Sequence, residues 1–571
     1  MFYTENLLRN EFFPSELPEC FNTNDLADNG EDIINSTTSY GQRYSIPLKY
    51  NGYKTETSRR KFAIPNPYHY CKAVDVIVRN EAEIFKVLTK SRYSLTAPIN
   101  KHPQKGQAFV KKSATVADTK RAIEMQYQNN RYEIRLDISS FFDSIYTHSI
   151  PWAIHGIDVS KRRKNDKSLL GNILDSHIRA MNYEQTNGIL VGNAVSRIIS
   201  EIILCTIDDQ IQQKFPHISC CRFVDDYYIY TDSVSQIQEI ISFVRTQLAQ
   251  YELSFNENKI QINESPFLYG KTWVEQIKQY IHLQPDVFLS KLIMEYNRYK
   301  DIAIIKYGLK IIEECKYNSQ TWPVMQSRLI NLWVRFPSLA SRILPMFWKN
   351  KNFLNKTSLK KAIYTVIDES ILLNRNLELV WAVWFVKIFE IKISQPYIVK
   401  VLESKNDVAV IIMLDIISQN GMSHKNMIKR QMIELRDFLE EKNSEDGKTN
   451  LVMWSEHWLL AYEADLNKWL KIDGKPFELA RKTPFFTHLI SKKIKFYDPV
   501  FTYGESTTTT RSYEYATRRE LYATINKLKL SLNEHFKELG DGKTLEWNET
   551  EKTLYEKILD IWSENEMIYA G

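Results

Sequence analysis

Two adjacent aspartates, Asp225 and Asp226, interrupt an apolar and aromatic run, RFVDDYYIYT at 222–231. The flanks alternate as strands do. The run therefore reads as a short strand, a tight turn and an aromatic strand, a β-hairpin with the acids at its tip. One Asp in a turn is ordinary, because its side chain hydrogen-bonds its own backbone. Two in tandem repel unless a cation or a proton offsets them. A hard divalent cation such as Mg2+ is the natural counter-charge for carboxylate oxygens. A hairpin tip supplies only part of such a site, so a further carboxylate is expected from elsewhere in the chain.

YEIRLDISSFFDSIYTHSIPW at 132–152 offers one. Tyr132 to Ile138 reads as a strand ending at Asp137, and Ser139 and Ser140 begin a turn or helix that carries Phe141 and Phe142. The C-terminal end of a strand is where α/β sites tend to lie. Asp137 with Asp225 and Asp226 would form a two-metal cluster, one ion activating a 3′-hydroxyl and the other holding a triphosphate. Between the two acidic segments lies TNGILVGNAVSRIISEIILCTIDDQI at 186–211. Gly188 and Gly192 frame a loop whose backbone can approach a nucleotide closely. Residues 193–211 then follow as a helix with an apolar stripe of Val195, Ile198, Ile199, Ile202 and Ile203.

Taken in order, these segments resemble a reverse transcriptase palm. Asp137 through Phe142 match motif A, and Gly188 through Ser196 (GILVGNAVS) match motif B, usually GxPQGxxxS. Phe223 through Asp226 match the [YF]xDD of motif C, and Leu253 through Lys259 (LSFNENK) match motif D. RRKFAIPNPYHYCKAV at 59–74 resembles the fingers segment. The resemblance implies Asp137, Asp225 and Asp226 as catalytic metal ligands, with the carbonyl of Ile138 as a further ligand. The cofactor it implies is two Mg2+ per active site, with Mn2+ as an alternative. Phe142 would lie under the sugar and exclude a 2′-hydroxyl, so dNTP is the implied substrate. Gly192 and Ser196 would shape the nucleotide side of the loop. Lys259 would stand near the leaving pyrophosphate. Arg60 and Lys61, or alternatively Lys111 and Lys112, would grip the triphosphate.

A narrower resemblance rests on YTHSIPWAIHG after motif A, on the GNAVSRIISE of motif B, and on EHWLLAYE at 456–463. These are similar to the abortive-infection reverse transcriptases of bacterial phage defence, the AbiK-like proteins. That family implies fingers and palm fused to an α-helical domain in place of a thumb. It also implies a homo-oligomer (trimer or hexamer) and, in some members, untemplated DNA synthesis primed from a protein tyrosine. Leu190 and Val191 stand where Pro and Gln are usual, and a valine cannot donate a hydrogen bond. This departure fits untemplated synthesis. Tyr40, in STTSYGQRY, is the priming candidate, with Tyr44, Tyr50 and Tyr53 competing. The alternative is an RNA-templated enzyme copying a partner noncoding RNA. The expected partners are therefore nucleic acid, as DNA product or noncoding RNA, and dNTP.

A chain of 571 residues predicts two or three domains. Residues 1–55 are rich in Asn, Ser, Thr, Asp and Gly and read as loop. Residues 56–280 mix strand and helix patterns as fingers and palm. Residues 281–571 are helical throughout and read as a stack of helical hairpins, or helical repeat. The fold class expected is α+β, a right-hand polymerase fused to an all-α domain. Lys101, Lys105, Lys111, Lys112, Lys120, Arg121 and Arg131 gather against only Asp118 and Glu124, which suits phosphate contact or a solvated face. Six cysteines without a CxxC pair argue against zinc and suit a reducing cytosol. The first residues lack an apolar signal core, and no run of about twenty apolar residues occurs, so a cytoplasmic protein without a membrane span is expected. The richest run, LVWAVWFVKIFEIKI at 379–393, is broken by Lys387 and Glu390 and reads as a buried helix. Two further readings belong to other classes. Arg481 through His488 (RKTPFFTH) superficially fits a ribonuclease motif, although Pro484 interrupts the helix it needs. The palm could instead be a non-catalytic nucleic-acid-binding scaffold.

Overall fold

The computed structural model describes residues 1–501 and 503, except 105, 114 and 445–450. Strands β1 (Leu48–Tyr53) and β2 (Arg59–Ile64) pair as an antiparallel hairpin. Strands β3 (Tyr132–Asp137), β4 (Ser219–Phe223), β5 (Asp226–Thr231) and β6 (Gln261–Glu264) form an antiparallel sheet in the order β4-β5-β3-β6. In β5 the buried Tyr227, Ile229 and Tyr230 fix the register. That register sets Asp226 directly opposite Asp137, and Phe223 opposite Asp226. Asp226 is thus the first residue of β5, and only Val224 and Asp225 form the tip.

The helix expected at 193–211 spans Ala194–Lys214, and all five residues of its predicted stripe are buried. Asn193 starts it, its side chain accepting from the Ser196 N–H at 2.9 Å. From Pro285 to Ser491 the described chain is helical, with short breaks. The apolar run at 379–393 lies mostly in helix Asn376–Ile388, which packs on helices Lys356–Leu372 and Asp407–Gln419 and on β1. The architecture is α+β: fingers and palm with a helical C-terminal part.

The loop expected over 1–55 is corrected. Helices Thr4–Arg9, Asn24–Asp28 and Gly30–Thr37 form there, and β1 begins at Leu48. Leu7, Leu8, Phe12, Cys20, Leu26 and Ile33 are buried in the same hydrophobic core as the palm and the helical part. The polar composition hid these anchors, which fall in short apolar pairs among polar residues. Lys105 of the basic cluster and residues 504–571 lie outside the described residues. Among the described residues no helix is long and apolar enough to cross a membrane.

Candidate active site

The site is built where the β4–β5 turn meets the end of β3. Val224 turns the hairpin with φ of 53°, a left-handed conformation that a β-branched residue rarely adopts. The turn is tied to β3 by the Ile138 N–H, which donates to the Asp225 carbonyl at 3.3 Å. Asp137 and Asp226 are direct cross-strand partners and therefore share a face of the sheet. The Asp226 carboxyl lies within hydrogen-bonding reach of Asp137. Burial, then the neighbouring charges of Asp225 and Asp137, push the Asp226 carboxyl up to about 7. Burial and Asp137 also raise Asp225, while Lys259 and Arg60 oppose the rise. The three sequence-predicted acids are thus brought together, at a cost in mutual repulsion.

The present counter-charge is Lys259. Its Nζ lies 3.2 and 3.1 Å from the two carboxylate oxygens of Asp137. Lys259 follows β5's return helix, Val234–Gln250, and the backbone here is fixed by the Asn256 N–H donating to the Asp137 carbonyl at 2.8 Å. Among the described residues no group of three or more His, Cys, Asp or Glu stands close enough together to hold a metal ion as it is. The donor set is nonetheless three oxygen-only carboxylates whose repulsion calls for a cation, which fits a hard divalent ion.

The glycine loop is docked on the turn after β3. The Gly188 N–H donates to the Ile145 carbonyl, and the Ile189 N–H to that of Phe142, each at 2.9 Å. Gly188 has φ of 82°, and a Cβ there would lie 3.1 Å from the Asp143 carbonyl oxygen. Phe141 is buried, whereas Phe142 is half-buried beside it with ring centroids 5.3 Å apart. The two neighbouring rings thus separate into a buried core residue and one that packs against the core while partly exposed. Gly192 has φ of 102°, and Pro14 of the N-terminal segment packs against it, 2.6 Å from where a Cβ would stand. The Ala194 N–H donates to the Glu11 carbonyl at 2.9 Å, and the Glu11 side chain pairs with Arg197.

The other expected residues divide. Arg60 is exposed on β2, and its charge acts on Asp225. Lys61, its exposed neighbour, has no such effect among the causes that act there. Lys111 is half-buried beside Arg197 and Glu11, and burial holds its ammonium down to about 8. Lys112 donates to the Arg92 carbonyl at 2.7 Å. Ser196 is 1% exposed in the first helical turn, so it packs the loop rather than facing a nucleotide. Ile138 is buried. Tyr40 is half-buried, with its ring 6.2 Å from Phe485 and its carbonyl accepting from Tyr68. Its described contacts are with Tyr68 and with Phe485 of the helical part. Arg481 pairs with Asp465 at 2.8 Å and His488 with Asp32 at 2.9 Å, each held by a separate acid.

One group was missed by the sequence reading. Arg222, the residue before Phe223 at the end of β4, is fully buried and paired with Glu201 and Asp208. The signal was present: Glu201 and Asp208, seven apart on an apolar helix, share a buried face and need a buried cation.

Residues 77–278 match the family model for reverse transcriptase, the RNA-dependent DNA polymerases. That span is accordingly a domain of the reverse transcriptase type. Such enzymes use divalent metal ions. Solved structures similar to this chain include apo telomerase from Candida tropicalis truncated from its C-terminal domain, at 12% identity. That alignment covers 43% of this chain and 56% of that one, with a TM-score of 0.28. The apo telomerase from Candida tropicalis aligns at 11% identity over 75% of this chain and 73% of that one, TM-score 0.30. A telomerase from Candida albicans in complex with a TWJ fragment of telomeric RNA aligns at 10% identity over 73% and 67%, TM-score 0.27. The chain thus spans a little over half the length of the first of these structures. No curated protein matches the chain.

Proposed function

We propose that the chain adds dNTPs to a growing DNA strand without a template, priming from a protein tyrosine, as an abortive-infection defence enzyme. The single observation that carries the polymerase reading is the convergence of Asp137, Asp225 and Asp226 on one end of the sheet. Asp137, Asp225 and Asp226 would hold two Mg2+ ions, with the Ile138 carbonyl beside them. When bound, the ions supply Lewis-acid stabilisation of the attacking oxygen and the triphosphate. The chain's own groups do the rest. Phe142, whose half-buried ring lies 5.3 Å from that of Phe141, would meet the sugar. Lys259, released from Asp137, is placed to neutralise charge on the departing pyrophosphate. Arg60 brings a cation toward the triphosphate from the fingers.

The untemplated reading is supported by the loop at Gly192. Val191 lacks a hydrogen-bond donor for a templating pair. Pro14 is seated directly on Gly192, where a strand lying against that glycine would have to go. The defence role, the homo-oligomer and the cytoplasmic setting rest on the resemblance of YTHSIPWAIHG and EHWLLAYE alone. The priming tyrosine is left open by the packing of Tyr40.

The test is to incubate the purified full-length protein with Mg2+ and labelled dNTPs, adding neither template nor primer, and to run denaturing gels before and after protease. Label that migrates with protein and shifts on proteolysis is expected. Incorporation that appears only when an RNA template is added would replace this reading with the templated one.

A further inference from the structure

The hairpin tip carries a strained residue, and something must hold it. Val224 is β-branched and sits at φ of 53°. Left-handed backbone is strained for such a residue and persists only where its surroundings over-determine it. Both polar backbone groups of Val224 are captured. Arg222 Nη1 donates to the Val224 carbonyl at 2.7 Å. The Val224 N–H donates to Thr96 Oγ1 at 3.1 Å.

These two holders belong to one buried network. Arg222 Nη2 donates to Glu201 Oε2 at 2.9 Å and to Asp208 Oδ2 at 2.8 Å, and Nε donates to both Asp208 oxygens at 3.1 and 3.0 Å. Thr96 Oγ1 donates to Glu201 Oε1 at 2.6 Å, and Ser94 Oγ to Glu201 Oε2 at 2.9 Å. Tyr227, next after Asp226, donates its hydroxyl to Asp208 Oδ1 at 2.8 Å. The guanidinium fork is the part that a lysine cannot copy, because only the fork reaches two acids and a carbonyl at once. The network therefore grips the chain on both sides of Asp225 and Asp226, from the helix Ala194–Lys214 and from the loop that holds Thr96.

We propose that Arg222 and Thr96 are positioning residues for the catalytic turn: they clamp the two backbone polar groups of Val224 and so aim Asp225 and Asp226 at the metal ions. Neither touches substrate. The inference rests on the polymerase reading for its effect on rate, but the clamp itself is a property of the turn and can be measured apart from activity.

The experiment compares full-length wild type with T96V, T96S, R222K and R222K/V224G. Hydrogen exchange of peptides spanning 219–231 reads the turn directly. Nucleotide incorporation then gives kcat, KM for dNTP and the half-saturating Mg2+ concentration. T96V is expected to exchange faster within 219–231 only, with kcat lower by about ten-fold, KM for dNTP little changed and more Mg2+ needed. T96S keeps the hydroxyl and is expected to restore both. R222K is expected to lose more, and V224G in that background to recover part of it, because glycine adopts the left-handed turn without strain. Exchange in T96V equal to wild type would overturn the proposal, whether or not the enzyme is active. So would a loss in R222K spread evenly over the sheet and the Ala194–Lys214 helix with no recovery by V224G, which would mark a core residue only. If wild type incorporates no nucleotide while T96V still loosens the turn locally and T96S restores it, the clamp stands and the polymerase reading falls.

Discussion

At the hairpin tip, burial and like charge act on the same carboxyls. Asp226 is pushed up to about 7 by burial first and by Asp225 and Asp137 next. The chain answers with Lys259, whose ammonium bridges both oxygens of Asp137. Lys259 is more than half exposed, so the pair is weak and a divalent ion can displace it. Two effects of K259A follow, and they point in opposite directions. Freed of its competitor, Asp137 should bind metal at a lower Mg2+ concentration. Without the cation near the leaving group, kcat should fall by about ten-fold or more. A Mg2+ titration of the incorporation rate reads both. Phe142 gives a second residue-scale prediction. Replacing its half-buried ring by alanine should open space for a 2′-hydroxyl and narrow the preference for dNTP over rNTP by about ten-fold or more, measured as the ratio of kcat/KM values.

At the scale of elements, the palm was legible because its chemistry and its periodicity coincide. The strand ending at Asp137, the hairpin around Asp225 and the helix after Gly192 each carry a period that the core dictates, and each appears within three residues of its expected bounds. The N-terminal segment was not legible. Its anchors, Phe12, Cys20 and Leu26, sit in short apolar pairs among polar residues, so no window shows a period. What ties it down is long-range: Pro14 on Gly192, Glu11 on Arg197, and Asp32 on His488. The buried Arg222 network was signalled by Glu201 and Asp208 on their apolar helix, but the sequence does not show which cation folds between them. Serine at 196 matched a motif, but the helix buries it. The Pro14 contact carries a prediction of its own. G192A adds a methyl group at φ of 102° and drives it into Pro14, so the variant should lose on the order of 1–3 kcal/mol of stability. A fall in Tm together with a loss of incorporation is expected.

For the whole molecule, a single hydrophobic core joins the N-terminal helices, the palm and the helical part. Glu463 lies deep within it, on helix Trp458–Leu466. Its carboxylate accepts from the Phe496 and Tyr497 N–H groups at 2.8 and 3.1 Å and from Asn467 Nδ2 at 3.0 Å. Burial nevertheless pushes it up to about 8. The folded protein therefore keeps a proton on Glu463 that the unfolded chain releases above its ordinary value near 4.5. The stability this proton contributes is complete below about pH 4.5 and is lost as pH rises toward 8, on the order of a few kcal/mol. In E463Q that decline should flatten, as read from Tm measured across pH 5 to 8 (roughly the window in which the proton is released).

The central claim is that Asp137, Asp225 and Asp226 form a working nucleotidyl-transfer site. The most direct measurement compares wild type and D225N for incorporation of labelled dNTP with Mg2+, both without template and with a primed RNA template. The account predicts incorporation by wild type and a loss of at least about a hundred-fold in D225N, with the melting temperature of the variant no lower than that of wild type. D225N that incorporates nucleotide as fast as wild type would contradict it.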